Sequence, residues 1–276
     1  MAALDTVDWR GLDRAALTRA YDNSGAVRDS ADLLAGWRAR SAAFRESKAG
    51  STLAYGPAQR QAVDLYRCGT AGAPCLAFVH GGYWQRNARE DFSCMAEGPL
   101  ALGLDVALVG YTLAPEASLT RIAEEIATGL RLLRRETGTG GLVVAGWSAG
   151  GHLASLMTTL AADTVDAALA VSGIFDLEPI AGTALDDALR LSEAEVAEFS
   201  PIRRLAPGGP PVSVIYGGAE LPELCRQSKD YHAARRALGL AGELHAVPGA
   251  DHFRVLDALI APDGRIAREA ARLAGL

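Results

Sequence analysis

The chain has 276 residues, of which 49% are hydrophobic and 22% charged, and its formal net charge is -6. These values are ordinary for a globular protein, and the length suits a single large α/β domain. The negative charge argues against a nucleic-acid partner and offers no basic patch to an anionic membrane surface.

The N-terminal sequence and the cysteines predict a cytoplasmic protein. The first ten residues, MAALDTVDWR, carry acids where an export signal has a basic start and a long apolar run. Apolar runs elsewhere are short, so no membrane span is expected. The cysteines show no CxxC pairing, which favours free thiols over zinc or disulfides. They are Cys68, Cys75, Cys94 and Cys225.

Hydrophobic periodicity predicts helices first and then an alternation of strands and helices. Residues 1–50 form a helical extension with two helices within 12–47, and residues 50–57 a loop or short strand. The predicted strands are 61–66, 75–79, 105–110, 141–146, 166–172, 211–216 and 241–247. The predicted helices are 91–102, 119–136, 150–160, 224–238 and the tail from 253. The alternation from residue 75 onward indicates a mostly parallel central sheet covered by helices on both faces.

The alternation stops over residues 173–210, an acidic stretch with several short helical pieces. We expect this stretch to be a small cap insertion within one α/β domain spanning residues 1–276. Its apolar side, which includes Phe175, should cover the site, limit substrate size and disfavour anionic substrates.

A candidate nucleophile follows the strand GLVVAG. Gly146-Trp147-Ser148-Ala149-Gly150 is a G-x-S-x-G motif between a predicted strand and a predicted helix, the context that such a motif requires. Small neighbours allow the sharp turn that exposes the Ser148 hydroxyl at the carboxyl edge of the sheet, and the helix N-terminus adds partial positive charge there.

A serine hydroxyl needs a base and a third group that orients the base. Of the five histidines, His252 is the best candidate, because it lies in a loop after the last strand, where catalytic side chains collect. Its neighbour Asp251 is interpreted as an acid that structures the loop. Glu220, which follows the strand PVSVIY, is the preferred third member, with Glu223 and Asp176 as alternatives.

The segment His80-Gly81-Gly82-Tyr83-Trp84 follows a short buried strand, where a second oxyanion donor is needed. Glycines let the backbone approach a substrate closely. The predicted oxyanion hole is formed by the backbone N–H groups of Gly82, Tyr83 and Ala149. The candidate pocket residues are His80, Gly81, Trp84, Trp147 and Phe175, although the aromatic rings could instead pack the core. His80 is expected to hold the loop through hydrogen bonds rather than act as the base.

Together, HGGYW, GWSAGGH and Tyr111-Thr-Leu-Ala-Pro-Glu116 resemble the α/β-hydrolase fold, and most of all its arylformamidase (kynurenine formamidase) and carboxylesterase branch. The segment VSGIFDLEP and Ser200-Pro201 are also similar, so the resemblance covers roughly residues 50–260. The N-terminal Tyr21-Asp-Asn23 is similar to that branch as well. The resemblance implies a Ser148–His252–Glu220 triad and no metal or organic cofactor. Tyr83 in place of a third glycine departs from the lipase-like HGGG pattern and favours the formamidase-like branch.

Three functions follow as hypotheses. The first is a serine hydrolase of small aryl or N-acyl amides or esters, for which the resemblance implies N-formylkynurenine as substrate. The second is a general short-chain carboxylesterase or thioesterase, and the third a non-catalytic binding protein on a hydrolase scaffold. The oligomeric state stays open, with a homodimer among the alternatives.

Overall fold

The computed structural model describes residues 9–138 and 140–276, and its centre is an eight-stranded sheet. The strands are β1 Ser51–Ala54, β2 Ala62–Tyr66, β3 Cys75–Val79, β4 Asp105–Val109, β5 Leu142–Trp147, β6 Ala167–Val171, β7 Val212–Gly217 and β8 Leu244–Val247. Their spatial order is β1-β2-β4-β3-β5-β6-β7-β8. The pairs β1–β2 and β2–β4 are antiparallel, and every other neighbouring pair is parallel.

Helices cover both faces of this sheet. They are α1 Arg14–Ala20, α2 Asn23–Ala26, α3 Ser30–Ser47, α4 Glu97–Ala101, α5 Leu119–Thr137, α6 Ala149–Leu160, α7 Glu178–Ala181, α8 Asp186–Leu189, α9 Glu193–Phe199, α10 Pro222–Ala237, α11 Asp257–Ile260 and α12 Arg265–Leu273. Short 3-10 helices occupy Trp9–Gly11, Arg89–Ala96, Pro201–Arg203 and Arg254–Leu256. Two buried apolar clusters, one on each face of the sheet, form the core.

The central strands are buried along their whole length because helices cover both of their faces. Strands β3 to β7 contain no exposed residue, which explains their continuous apolar sequences. Parallel strands end at the same edge, so the turns after β3, β5, β6, β7 and β8 lie together. This arrangement brings together the segments in which the sequence places the chemistry.

Several boundaries differ from the sequence predictions. The predicted helix over 91–102 is a 3-10 helix followed by the short α4, because Phe92 has non-helical backbone angles. The N-terminal extension contains three helices instead of two, since Asp22 begins a separate turn by accepting a hydrogen bond from the Gly25 N–H. Among the described residues no helix is long and apolar enough to cross a membrane.

Candidate active site

Ser148 lies at the turn between β5 and α6 with backbone angles of φ 57° and ψ -119°. This left-handed conformation is strained for a residue with a side chain, and such strain is concentrated at functional sites. Both flanking glycines are required by packing. A Cβ on Gly146 would lie 2.1 Å from the Gly150 carbonyl oxygen, and one on Gly150 would lie 2.0 Å from that of Val79.

His252 follows β8 and is held by a buried carboxylate. Its Nδ1 lies 3.0 Å from Oε2 of Glu220, and the Glu220 carboxylate is fully buried. The other carboxylate oxygen accepts hydrogen bonds from Ser172 Oγ and the Gly217 N–H, both at 2.5 Å. Because a carboxylate only accepts, the imidazole proton lies on Nδ1, which leaves Nε2 as a proton acceptor.

The other acids near this edge have different partners. Glu223 is buried and accepts two hydrogen bonds from Arg226, at 2.7 and 2.9 Å. Asp176 pairs with Arg203 at 2.9 Å. Asp251 accepts the backbone N–H groups of the two residues at 253 and 254, as expected for an acid that structures its loop. Of the four acids that the sequence raised, the described structure brings Glu220 alone to His252.

Ser148 and His252 line the same small cavity, whose volume is about 50 Å³. Both residues are almost fully buried, with exposed fractions of 2% and 3%. Trp147 also lines this cavity, and its indole N–H donates to the His252 carbonyl oxygen at 2.8 Å. The residue before the serine therefore fixes the loop that carries the histidine. A larger cavity of about 420 Å³ adjoins it and shares His252 as a wall residue.

The loop after β3 presents its backbone to the same cavity. Gly82 has φ 118°, and a Cβ there would lie 2.6 Å from the Arg86 carbonyl oxygen. A Cβ on Gly81 would lie 2.7 Å from the Trp147 carbonyl oxygen. Within residues 9–138 and 140–276, no hydrogen bond uses the backbone N–H of Gly82, Tyr83 or Ala149. These three donors are therefore available to an oxyanion.

The Tyr83 side chain connects this loop to the N-terminal extension. Its hydroxyl donates to the Tyr21 carbonyl oxygen and accepts from Asn23 Nδ2 at 2.9 Å. Burial raises the pKa of Tyr83, so the hydroxyl keeps its proton. Asn23, Ser24 and Leu34 thereby come to line the cavity at Ser148. Sequence reasoning assigned no role to these three residues; the Tyr21-Asp-Asn23 segment was the signal that could have found them.

Four of the five predicted pocket residues do not line the cavity at Ser148. His80 lies in the core, stacked on Tyr111 with ring centroids 4.4 Å apart, and its Nδ1 contacts the Gly81 carbonyl oxygen. Burial lowers its pKa to about 4. Trp84 is fully buried and packs edge-on against His152. Neither ring lines the cavity at Ser148, and Gly81 does not line it either; the two rings instead pack against the residues behind this loop.

The last correction concerns Phe175 and the segment 173–210. Phe175 is fully buried and stacks on Tyr231, with ring centroids 4.3 Å apart, while its N–H donates to Gln227 Oε1. No described residue of this segment lines the cavity at Ser148. The wall that the sequence expected from this segment comes from the N-terminal extension instead, because the hydroxyl of Tyr83 ties that extension over the serine.

One group of possible metal ligands exists among the described residues. Glu243, His245 and Glu269 place their ligand atoms within 4.8 Å of one another. Glu269, however, accepts two hydrogen bonds from Arg272, at 2.6 and 2.9 Å, and this ion pair already satisfies its charge. The group belongs to neither cavity beside His252.

Comparison with known proteins agrees with this fold. A family model described as "alpha/beta hydrolase fold" matches residues 76–205. The kynurenine formamidase of Salmo salar is 28% identical over 80% of each chain. Esterase LipC of Mycobacterium tuberculosis is 29% identical over 74% of this chain and 59% of its own. The crystal structure of a proposed thioesterase from Silicibacter sp. TM1040 superimposes with a TM-score of 0.83, at 27% identity, over 91% of this chain and 97% of that one.

The fold and these likenesses define the class of protein. The chain has the α/β-hydrolase fold, and its serine turn, its acid and its histidine loop follow one another along the chain in the order that this fold uses. Within that class it is similar to arylformamidases and esterases, as the motifs of the sequence indicated.

Proposed function

We propose that the chain is a serine hydrolase that cleaves small aryl or N-acyl amides and esters through an acyl-enzyme intermediate. The observation that carries this proposal is the single cavity that joins Ser148 to His252, with His252 hydrogen-bonded to the buried Glu220 at 3.0 Å. The similarity to kynurenine formamidases and to an esterase supports hydrolysis of an amide or ester bond.

The mechanism follows from the positions of these groups. His252 accepts the proton of Ser148 as its oxygen attacks the substrate carbonyl, and Glu220 stabilises the resulting imidazolium. The backbone N–H groups of Gly82, Tyr83 and Ala149 bind the oxyanion. His252 then protonates the leaving nitrogen or oxygen. Water, activated by the same histidine, hydrolyses the acyl-enzyme through a second oxyanion.

The cavity volume supports a small acyl group. The cavity at Ser148, of about 50 Å³, is much smaller than the adjoining cavity of about 420 Å³. A formyl or acetyl group suits this space, and the adjoining cavity of about 420 Å³ suits a larger leaving group. An arylformamide such as N-formylkynurenine combines such a small acyl group with a larger leaving group. A short-chain ester or thioester is the second candidate, favoured by the likeness to the esterase and the proposed thioesterase.

We also propose a cytoplasmic location, which the unpaired cysteines support. All four are free thiols in the structure. Such thiols persist in a reducing compartment.

A substrate panel tests the proposed reaction. The kcat/KM values for N-formylkynurenine, 4-nitrophenyl acetate and 4-nitrophenyl butyrate are measured with the wild type and with Ser148→Ala. We expect the kcat/KM values of the formyl and acetyl substrates to exceed that of the butyrate by at least about tenfold, the low end of the range for an added methylene in a tight pocket. Turnover of none of the three would contradict the proposed function, as would turnover that Ser148→Ala retains.

A further inference from the structure

A buried acceptor in the cavity of the nucleophile has no hydrogen-bond partner among the described residues. Asn23 is 3% exposed and lines the cavity that contains Ser148 and His252. Its Oδ1 makes no hydrogen bond with any described residue. A buried polar atom without a partner is unfavourable by about 1–3 kcal/mol, so native structures contain few of them.

The orientation of the Asn23 amide is determined by its neighbour. The Tyr83 hydroxyl donates its proton to the Tyr21 carbonyl oxygen, which can only accept. The hydroxyl must therefore accept from Asn23, and the atom facing it, at 2.9 Å, is the Nδ2 donor. The other end of the amide is consequently an oxygen, held with its lone pairs free.

Other buried polar atoms without partners lie elsewhere. Those of His80, Trp84, Thr112, His152, Ser228 and Arg235 belong to side chains that do not line the cavity at Ser148. Among the described residues, Asn23 alone combines an unpaired buried acceptor with a place in the nucleophile's cavity. It also lines the larger adjoining cavity, so it stands between the two spaces.

We propose that Asn23 Oδ1 accepts a hydrogen bond from the N–H of a secondary amide substrate and thereby favours N-acyl over O-acyl substrates. This assignment rests on the proposed function and specifies its substrate class. An amide with its acyl group at Ser148 and its leaving group in the larger cavity places its N–H between the two, where Asn23 stands. An ester or a tertiary amide has no proton there and leaves the acceptor unpaired.

Discrimination between substrates with and without this N–H can be large. A site built to bind a substrate N–H rejects an analogue that lacks it far more strongly than an apolar pocket rejects a missing methylene, because the buried polar group then stays unpaired. The same tyrosine whose backbone N–H serves the oxyanion hole also orients Asn23. This double use accounts for a tyrosine at position 83 where a third glycine would serve the backbone alone.

The test compares substrates that differ only at the scissile heteroatom. The kcat/KM values for 4-nitroformanilide, its N-methyl derivative and 4-nitrophenyl formate are measured with the wild type, Asn23→Ala, Asn23→Asp and Ser24→Ala. Ser24 lines the same cavity and follows Asn23, so Ser24→Ala is the matched control. Background hydrolysis is subtracted with Ser148→Ala.

We expect Asn23→Ala to lower the anilide-to-ester ratio of kcat/KM by at least about tenfold, the loss typical of one buried hydrogen bond. Ser24→Ala should keep the wild-type ratio. Asn23→Asp keeps the oxygen and the size of the side chain, so its ratio should lie above that of Asn23→Ala. N-methylation of the anilide should lower kcat/KM by a larger factor in the wild type than in Asn23→Ala. Each factor is a ratio measured within one protein, so the comparison remains valid if a variant folds poorly.

Equal losses on the anilide and the ester in Asn23→Ala would overturn the assignment and leave Asn23 as a support for Tyr83. A wild type that cleaves the ester but not the anilide would overturn it as well, while the serine-hydrolase proposal would stand. Retained turnover in Ser148→Ala would instead contradict the proposed function itself.

Discussion

At the scale of single residues, the choice of the triad acid depends on one hydrogen bond. Glu220 contacts His252 Nδ1, whereas Glu223 and Asp176 are engaged by Arg226 and Arg203. All three acids follow strands that end at the same edge, so their sequence positions left the choice open. The difference arises from side-chain contacts between segments far apart in the chain, which no local pattern encodes.

Glu220→Gln tests this choice. The substitution preserves the shape of the side chain but removes the charge that stabilises the imidazolium, so we expect kcat to fall by about 10⁴. Glu223→Gln and Asp176→Asn should each lower kcat far less, since neither acid contacts the histidine. Steady-state kinetics on one ester measures all three variants, and a greater loss at either alternative would reassign the third member of the triad.

At the scale of elements, the motif contexts could be predicted from sequence, but the cavity wall could not. GWSAG lies on the expected strand–turn–helix, and the loop after β3 lies beside it. The short helices α7, α8 and α9 bury apolar residues and carry acidic residues in their first turns. Amphipathicity, however, does not specify which part of the molecule the apolar side contacts, and Phe175 packs on Tyr231 in the core. Helices α2 and α3 cover the cavity at Ser148 because of the hydrogen bond between Tyr83 and Tyr21, two residues far apart in the chain.

Because the cavity wall comes from the N-terminal extension and not from the segment 173–210, we expect opposite effects from substitutions in these two regions. Leu34→Ala enlarges the cavity at Ser148, so the ratio of kcat/KM for 4-nitrophenyl butyrate to acetate should rise, by roughly the 10-fold that a methylene or two can supply. Phe175→Ala removes a fully buried ring and should lower the free energy of unfolding by about 3–5 kcal/mol.

The butyrate-to-acetate ratio of the folded Phe175→Ala protein should equal that of the wild type. Urea unfolding and the two ester assays provide the measurements. A changed ratio in Phe175→Ala with an unchanged ratio in Leu34→Ala would restore the segment 173–210 as the pocket wall.

At the scale of the whole molecule, two buried histidines couple stability to pH. His80 and His152 are both held neutral, since burial lowers each pKa to about 4. His152 Nε2 lies 2.7 Å from the Phe199 carbonyl oxygen, which requires a proton on Nε2 and leaves Nδ1 as the site that protonation would use. His152 thereby joins α6, directly after the serine, to α9.

The sign of the pH effect follows from these values. Above pH 6.5, which is the ordinary pKa of histidine, both histidines are neutral in the folded and in the unfolded chain. The free energy of unfolding then has its full value. Between pH 6.5 and about 4 the unfolded chain binds protons that the folded chain excludes. Stability is therefore lost as the pH falls through this window, by up to about 3 kcal/mol for each histidine.

His152→Gln tests this coupling, because glutamine keeps a donor for the Phe199 carbonyl but does not titrate. The free energy of unfolding in urea is measured at pH 7.5 and 5.0 for both proteins. We expect the wild type to lose more stability between the two pH values than the variant, by about 2 kcal/mol. An identical pH dependence in both proteins would show that protonation of His152 does not contribute.

The most direct test of the account is the identity of the nucleophile. The intact protein is treated with a fluorophosphonate probe, and the labelled peptide is sequenced by mass spectrometry, with Ser148→Ala as the matched control. Because Ser148 lies at the strained turn before α6 and shares a cavity with the His252–Glu220 pair, we predict one adduct on Ser148, and none in Ser148→Ala. An unlabelled wild type, or an adduct on another residue that persists in Ser148→Ala, would contradict the account.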